Sequence, residues 1–537
     1  MWLLHKQRQT HERVVSNATD TADQLAAIRS ALREALAPKP LMPKEAKAQP
    51  VAPALIAKAK LLLARGDAED RALAKIALGQ HAEADRIIQG LKAKPGNPID
   101  EAARLLNMEG NNWYAAAQAD KAVEPYERVM ALRPRSVSAR NNVALAHTFA
   151  RLGNLTEHRR RADEIADGNL KLVTPRSTDW AMTQNCLGIA WQSLPTGDRA
   201  DNLRRAMSAY EAALTVYVKD ASPSEWARTR NNLGTAWRDL PTGDRAANLR
   251  RAISNYESAL TVFTEVAAPA DWAMTQNNLG VAWADLPTGS VADNLQRAIA
   301  SFEAALTVRT REAAPVEWAM TQNNLGTAWA KLPTGNRDDN LRRAIGAYSA
   351  ALTVYTRDTA PAEWAATQHN LGAAWRNMHS GNPGENGRRA ICAYEAALTV
   401  SNNDAAPADW AMIQTNLGIA WQSMPEGDPA ENLDKAIAAF KNGLTVWTKT
   451  AAPAEWARIH FHLAIALADM AQLRDGDRVS LLARAIASDK AATIGFTPET
   501  YPHEHAAALK NLEKDRSAYE DAGGAAAQPF DAIRPAK

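Results

Sequence analysis

Side chains able to do chemistry are few along this 537-residue chain, and their spacing works against most of it. His460 and His462 stand two residues apart, as do His503 and His505. On a helix, neighbours at that spacing face different directions, so neither pair is expected to share a metal ion. His11-Glu12 lacks the second histidine of a helical zinc-protease signature. Cys186 and Cys392 are the two cysteines; they fall at non-equivalent places in a repeating pattern and read as inert thiols rather than a disulfide or a zinc set. No phosphate loop and no nucleophile elbow occurs. The expectation is therefore no catalytic residue, no metal, no cofactor and no small-molecule substrate.

What does recur is a polar row: Cys186, Asn232, Asn278, Asn324, Asn370, Asn416 and His462, each 46 residues from the next. An asparagine donates and accepts at once, which suits the backbone of an extended peptide. Arg228, Met274 and Met320 lie four residues before members of this row, and methionines make an adaptable apolar wall. Asn232, Asn278, Asn324, Asn370 and Asn416, with Arg228, Met274 and Met320, thus form the candidate peptide-binding surface. The other reading is that these asparagines bond one another, or the neighbouring helix, and hold the stack together.

The elements that would position this row follow a ruler. Tryptophans fall at 180, 226, 272, 318, 364, 410 and 456, and a second series eleven residues later runs from Trp191 to Trp421. A fixed period of this kind marks a stack of similar units. Pro223 and its equivalents suit the first turn of a helix, and Glu225 beyond it complements the helix dipole. Eleven residues make about three turns, so Trp226 and Trp237 share a face, and both read as core. Gly234 between them implies the close approach of a partner helix. The stop at Leu240-Pro241-Thr242-Gly243 ends this helix. Asp244 then caps a second one, as Asp198, Ser290, Asn336, Asn382 and Asp428 do elsewhere, and an acid three residues after most of these caps resembles a capping box. The second helix buries Ala252, Tyr256, Ala259 and Leu260.

At Leu233-Gly234…Trp237 followed by Ala252…Tyr256…Ala259, the chain resembles the tetratricopeptide (TPR) repeat family. The wording Pro-x-Glu-Trp-Ala-Met-Thr-Gln-Asn-Asn-Leu-Gly and the 46-residue unit, twelve longer than the family's usual repeat, resemble bacterial arrays of that family. The resemblance implies an all-α fold, a right-handed α-solenoid of helix–turn–helix repeats, in which the face carrying the asparagines lines the concave groove. Such arrays are often joined to a caspase-like peptidase, and no such domain is visible in this chain.

The period and composition divide the chain into an N-terminal helical segment (1–36), a Pro/Ala linker (37–53), divergent hairpins (54–176), seven 46-residue repeats (177–497), a capping helix (498–520) and a disordered tail (521–537). Residues 1–176 carry 28 Lys and Arg against 20 Asp and Glu, and the remainder 34 against 40, a balance that disfavours a nucleic-acid-binding solenoid. Arg159, Arg160 and Arg161 read as a solvated helix face. No signal peptide and no membrane-length apolar run is present, so no membrane partner and a cytoplasmic location are expected. The expected function is a non-enzymatic scaffold that binds a protein or peptide in its groove. The alternative is a regulatory or sensor subunit for a separately encoded effector such as a caspase-like peptidase.

Overall fold

The computed structural model describes residues 119–150, 155–404 and 406–524, with scattered positions between 71 and 113. The segments expected at 1–36 and 37–53, most of residues 54–118 of the expected divergent hairpins and all but the start of the expected tail lie outside the described residues. Every regular element among the described residues is a helix. They divide into two units at Asn324/Leu325.

The first unit contains α1 (Ala119–Leu132), α2 (Val137–Phe149), α3 (Leu155–Leu170), α4 (Thr178–Ser193), α5 (Arg199–Leu214), α6 (Pro223–Asp239), α7 (Arg245–Leu260), α8 (Pro269–Ala284) and α9 (Val291–Val308). The boundary falls inside α10 (Pro315–Lys331). The second unit continues with α11 (Arg337–Leu352), α12 (Pro361–Arg376), α13 (Pro383–Leu398), α14 (Pro407–Gln422), α15 (Pro429–Leu444), α16 (Pro453–Leu473), α17 (Arg478–Gly495) and α18 (Pro502–Asp521). Within each unit consecutive helices pack as hairpins, and each hairpin packs on the next, which is the arrangement of an α-solenoid.

The local signals act as their chemistry requires. α6, α8, α12, α14 and α16 begin with proline at the first helical turn, after a residue that makes no side-chain capping bond. Asp198, Ser290, Asn336, Asn382 and Asp428 accept the backbone N–H three residues on, and Asp244 accepts those of Ala246 and Ala247. Three of the expected capping-box acids turn the other way. Asp201, Asp339 and Glu385 pair forward with Arg204, Arg342 and Arg388, because an arginine one turn on is a stronger partner than a neutral backbone N–H. Gly243 lies at φ +83°, a left-handed turn that a side chain would strain.

Gly234 faces the Tyr256 ring so closely that an added Cβ would stand 2.9 Å from Cε1, and Gly280 meets Phe302 at 2.6 Å. The second-helix aromatics Tyr210, Tyr256, Phe302, Tyr394 and Phe440 are among the largest fully buried side chains. The tryptophans pack against the core clusters but are half-buried rather than fully enclosed. In the second series the outer faces carry a cation from the second helix, as with Arg251 over Trp237 at 4.4 Å, Arg343 over Trp329 at 4.4 Å and Lys435 over Trp421 at 4.3 Å. A tryptophan is large enough to fill a seam between hairpins and still offer one face to a guanidinium.

Candidate functional site

The asparagine row lies along the first helix of each hairpin, where its amides run between successive first helices. In the first unit Asn232 Nδ2 donates to Asn185 Oδ1 at 3.4 Å, Asn278 to Asn231 at 3.3 Å and Asn324 to Asn277 at 3.2 Å. Each bond spans 47 residues, one unit plus one, because the residue just before each row member is also polar and faces the next first helix. Asn231, Asn232, Asn277 and Asn278 are buried, so Asn232 and Asn278 hold helix to helix instead of standing open on a groove wall. Arg228 is likewise inside: only 11% of its side chain is exposed, and its Nη2 lies 3.4 Å from Asp271 on the next first helix. Met274 is buried, whereas Met320 and Asn324 are half-buried.

In the second unit this spine changes character. His369 stands where the earlier units carry asparagine, and Asn416 Nδ2 lies 2.7 Å from His369 Nε2. Arg376 Nη1 donates to Asn416 Oδ1 at 2.9 Å. A guanidinium only donates, so the amide oxygen must face Arg376 and the amide N–H must face the imidazole. His369 is therefore neutral at Nε2, with its proton on Nδ1. Burial, and then the charge of Arg376, pushes this imidazole down to about 4, and the same two causes with Arg458 do so for His462. Asn370, Asn416, His369, Arg376 and His462 are all half-buried.

The remaining candidates fall apart as chemistry. His460 meets the edge of Trp456 at 4.6 Å while His462 stacks on Phe440, so the two imidazoles serve different contacts. His505 Nδ1 bonds the Phe496 carbonyl at 2.7 Å. Cys186 is buried, which pushes its thiol up to about 12, and Cys392 is exposed. Among the described residues no three His, Cys, Asp or Glu side chains gather to hold a metal ion. Arg160 pairs with Glu157 and Glu164 on an exposed helix face.

Two further series at the same period are structural. Asn202, Asn248, Asn294, Asn340, Asn386 and Asn432 each donate to a carbonyl in the turn before the second helix, at 2.8–2.9 Å. The cations over the second tryptophan series form the other, fourteen residues after each ring. Their spacing is plain in the sequence; their partners are not, since neither series is apolar.

No family model and no curated protein matches this chain. The chain is similar to a human IFIT1 dimer with PPP-AAAA, at 11% identity over 86% of this chain and 93% of that one, with a TM-score of 0.45. It is similar to the apo form of RapI, at 12% identity over 78% and 98%, with a TM-score of 0.44. A thermophilic TPR protein from Thermus thermophilus is 18% identical over 43% of this chain and 98% of its own, with a TM-score of 0.31. Similarity at this level says nothing about partner or ligand. No helix among the described residues is long and apolar enough to cross a membrane.

Proposed function

We propose that the chain is a non-enzymatic scaffold that binds an extended protein segment along the face formed by its first helices. The observation that supports this reading is the half-buried polar set of the second unit. There Arg376, fixed by Asn416, keeps N–H groups beyond the one it gives to the amide oxygen. With Asn370 and Asn416 it would meet backbone carbonyls or an acidic side chain of the partner. In the first unit Asn324 and Met320 have the same half-open setting, while Asn232, Asn278, Arg228 and Met274 stand behind as support. The resemblance of the 46-residue unit to bacterial arrays favours a bacterial protein.

Affinity purification with the full chain tests this. Arg376→Ala is expected to lose the captured partners while circular dichroism and the melting temperature stay near wild type. Recovery of the same partners in the same yield by Arg376→Ala and by the triple variant Asn324→Ala, Asn370→Ala, Asn416→Ala would sink the reading.

A further inference from the structure

The last two helices meet on a pair of acids. α18 is a polar helix with a short inward line, and its buried residues are Ala508, Leu512 and Asp515. α17 turns Leu481, Leu482, Ala485, Ser488, Asp489, Ala492 and Gly495 inward. Asp489 is 0% exposed and Asp515 3%. One acid thus stands in the middle of each apolar line. No N–H or O–H donor among the described residues reaches either oxygen of Asp489. The acid that acts on it is Asp515, buried on the packed helix α18. Asp469 on α16 adds a third acid beside Asp515, and Lys514 on α18 is the cation that acts on all three. Arg516 on α18 acts on Lys490 of α17, which follows Asp489.

Two carboxylates facing each other out of water cannot both stay ionised, whereas a protonated one can donate its O–H to the other. We propose that Asp489 and Asp515 share one proton that fastens α18 to the end of the second unit, and that its loss as pH rises releases this helix. The proton replaces the donor that Asp489 lacks. α18 is sensitive to it because Ala508 and Leu512 are its other buried residues, with Ala518 and Tyr519 only partly buried against the neighbouring core.

The sign follows from linkage. Burial, and then the Asp515 charge, pushes the Asp489 carboxyl up to about 8, from an ordinary value of 3.8 that it regains once the helix is released. Burial raises Asp515 as well. The docked state therefore holds a proton that the released state gives up. Docking is strongest near pH 4 and weakens toward pH 8, and one linked proton makes release about tenfold easier per pH unit inside that window.

Hydrogen exchange of residues 502–521 in the full chain, corrected for the intrinsic effect of pH, reads this directly. Between pH 5 and 7.5 the wild-type opening equilibrium is expected to rise about tenfold per unit. Asp489→Asn places an amide N–H where the proton was, so α18 should stay docked with a flat profile; Asp515→Asn does the same from the other side. Asp469→Asn should keep the wild-type slope. A flat wild-type profile, or an unchanged slope in both asparagine variants, overturns the proposal. Infrared difference spectra supply an independent reading. Wild type at pH 7 should show a protonated carboxyl stretch that Asp489→Asn lacks, and its absence from wild type overturns the shared proton even if α18 never opens.

Discussion

Single hydroxyl groups separate units that otherwise look alike. Tyr256 donates to Thr235 Oγ1 at 3.0 Å, and Tyr348 to Thr327 at 3.2 Å. The corresponding position in the next unit is Ala373, and the buried hydroxyl of Tyr394 has no hydrogen-bond partner. Removing a satisfied buried hydroxyl costs about 1 kcal/mol, whereas removing an unsatisfied one relieves a desolvation penalty. Tyr256→Phe is therefore expected to lower stability by about 1 kcal/mol and Tyr394→Phe to leave it unchanged or raise it, with urea unfolding as the measurement. Equal losses in both variants would show that the hydroxyl partners do not matter. The asparagine row teaches the same lesson. Its period is legible in the sequence, but its partners depend on how far one first helix is rotated against the next, and a rotation leaves no mark in composition.

Helices are where the sequence is most transparent, because proline at a start, glycine at a turn and an acid or hydroxyl at a cap each act within a few residues. Gly280 in α8 is also legible as a close approach, and its structure sharpens the expectation. Glycine to alanine inside a helix normally stabilises by about 1 kcal/mol. At Gly280 the new Cβ would stand 2.6 Å from Phe302 Cε1, and overpacking of this kind costs about 1–3 kcal/mol. Gly280→Ala is thus expected to destabilise, with exchange protection falling in α8 and α9 and much less in α4 and α5, since units couple mainly to neighbours. A stabilised variant, or loss spread evenly along the chain, would contradict that. The tryptophans were harder to place. Hydrophobicity alone assigns them to the core, and the second-helix cation that covers each ring of the second series, an arginine or, at Trp421, Lys435, is invisible to an apolar pattern.

At the scale of the molecule, the 46-residue array is legible because repetition multiplies a weak signal, while the divergent residues before 177 lack that help. The second unit also has an acid response that composition hides. His369 is held near 4 against 6.5 in an unfolded chain, so on acidification the unfolded chain takes its proton first. Stability from this group is present above pH 6.5 and drains as pH falls toward 4. His369→Asn, which restores the asparagine of the earlier units, should flatten that loss, read as exchange protection of α12 and α14 at pH 4.5 and 6.5. An unchanged acid profile would place the sensitivity elsewhere. The one-residue offset of the amide bonds has a genetic consequence. A unit with asparagine at both positions, such as the one holding Asn231 and Asn232, is complementary to its own duplicate, so unequal recombination can lengthen the array without inventing a new interface. Cys186 provides no amide donor toward a preceding copy, and Phe461 offers no acceptor to a following one. The same complementarity is already lost at Thr415, which turns its hydroxyl to the Ala411 carbonyl of its own helix, so the interchangeable units are those that keep asparagine at both positions.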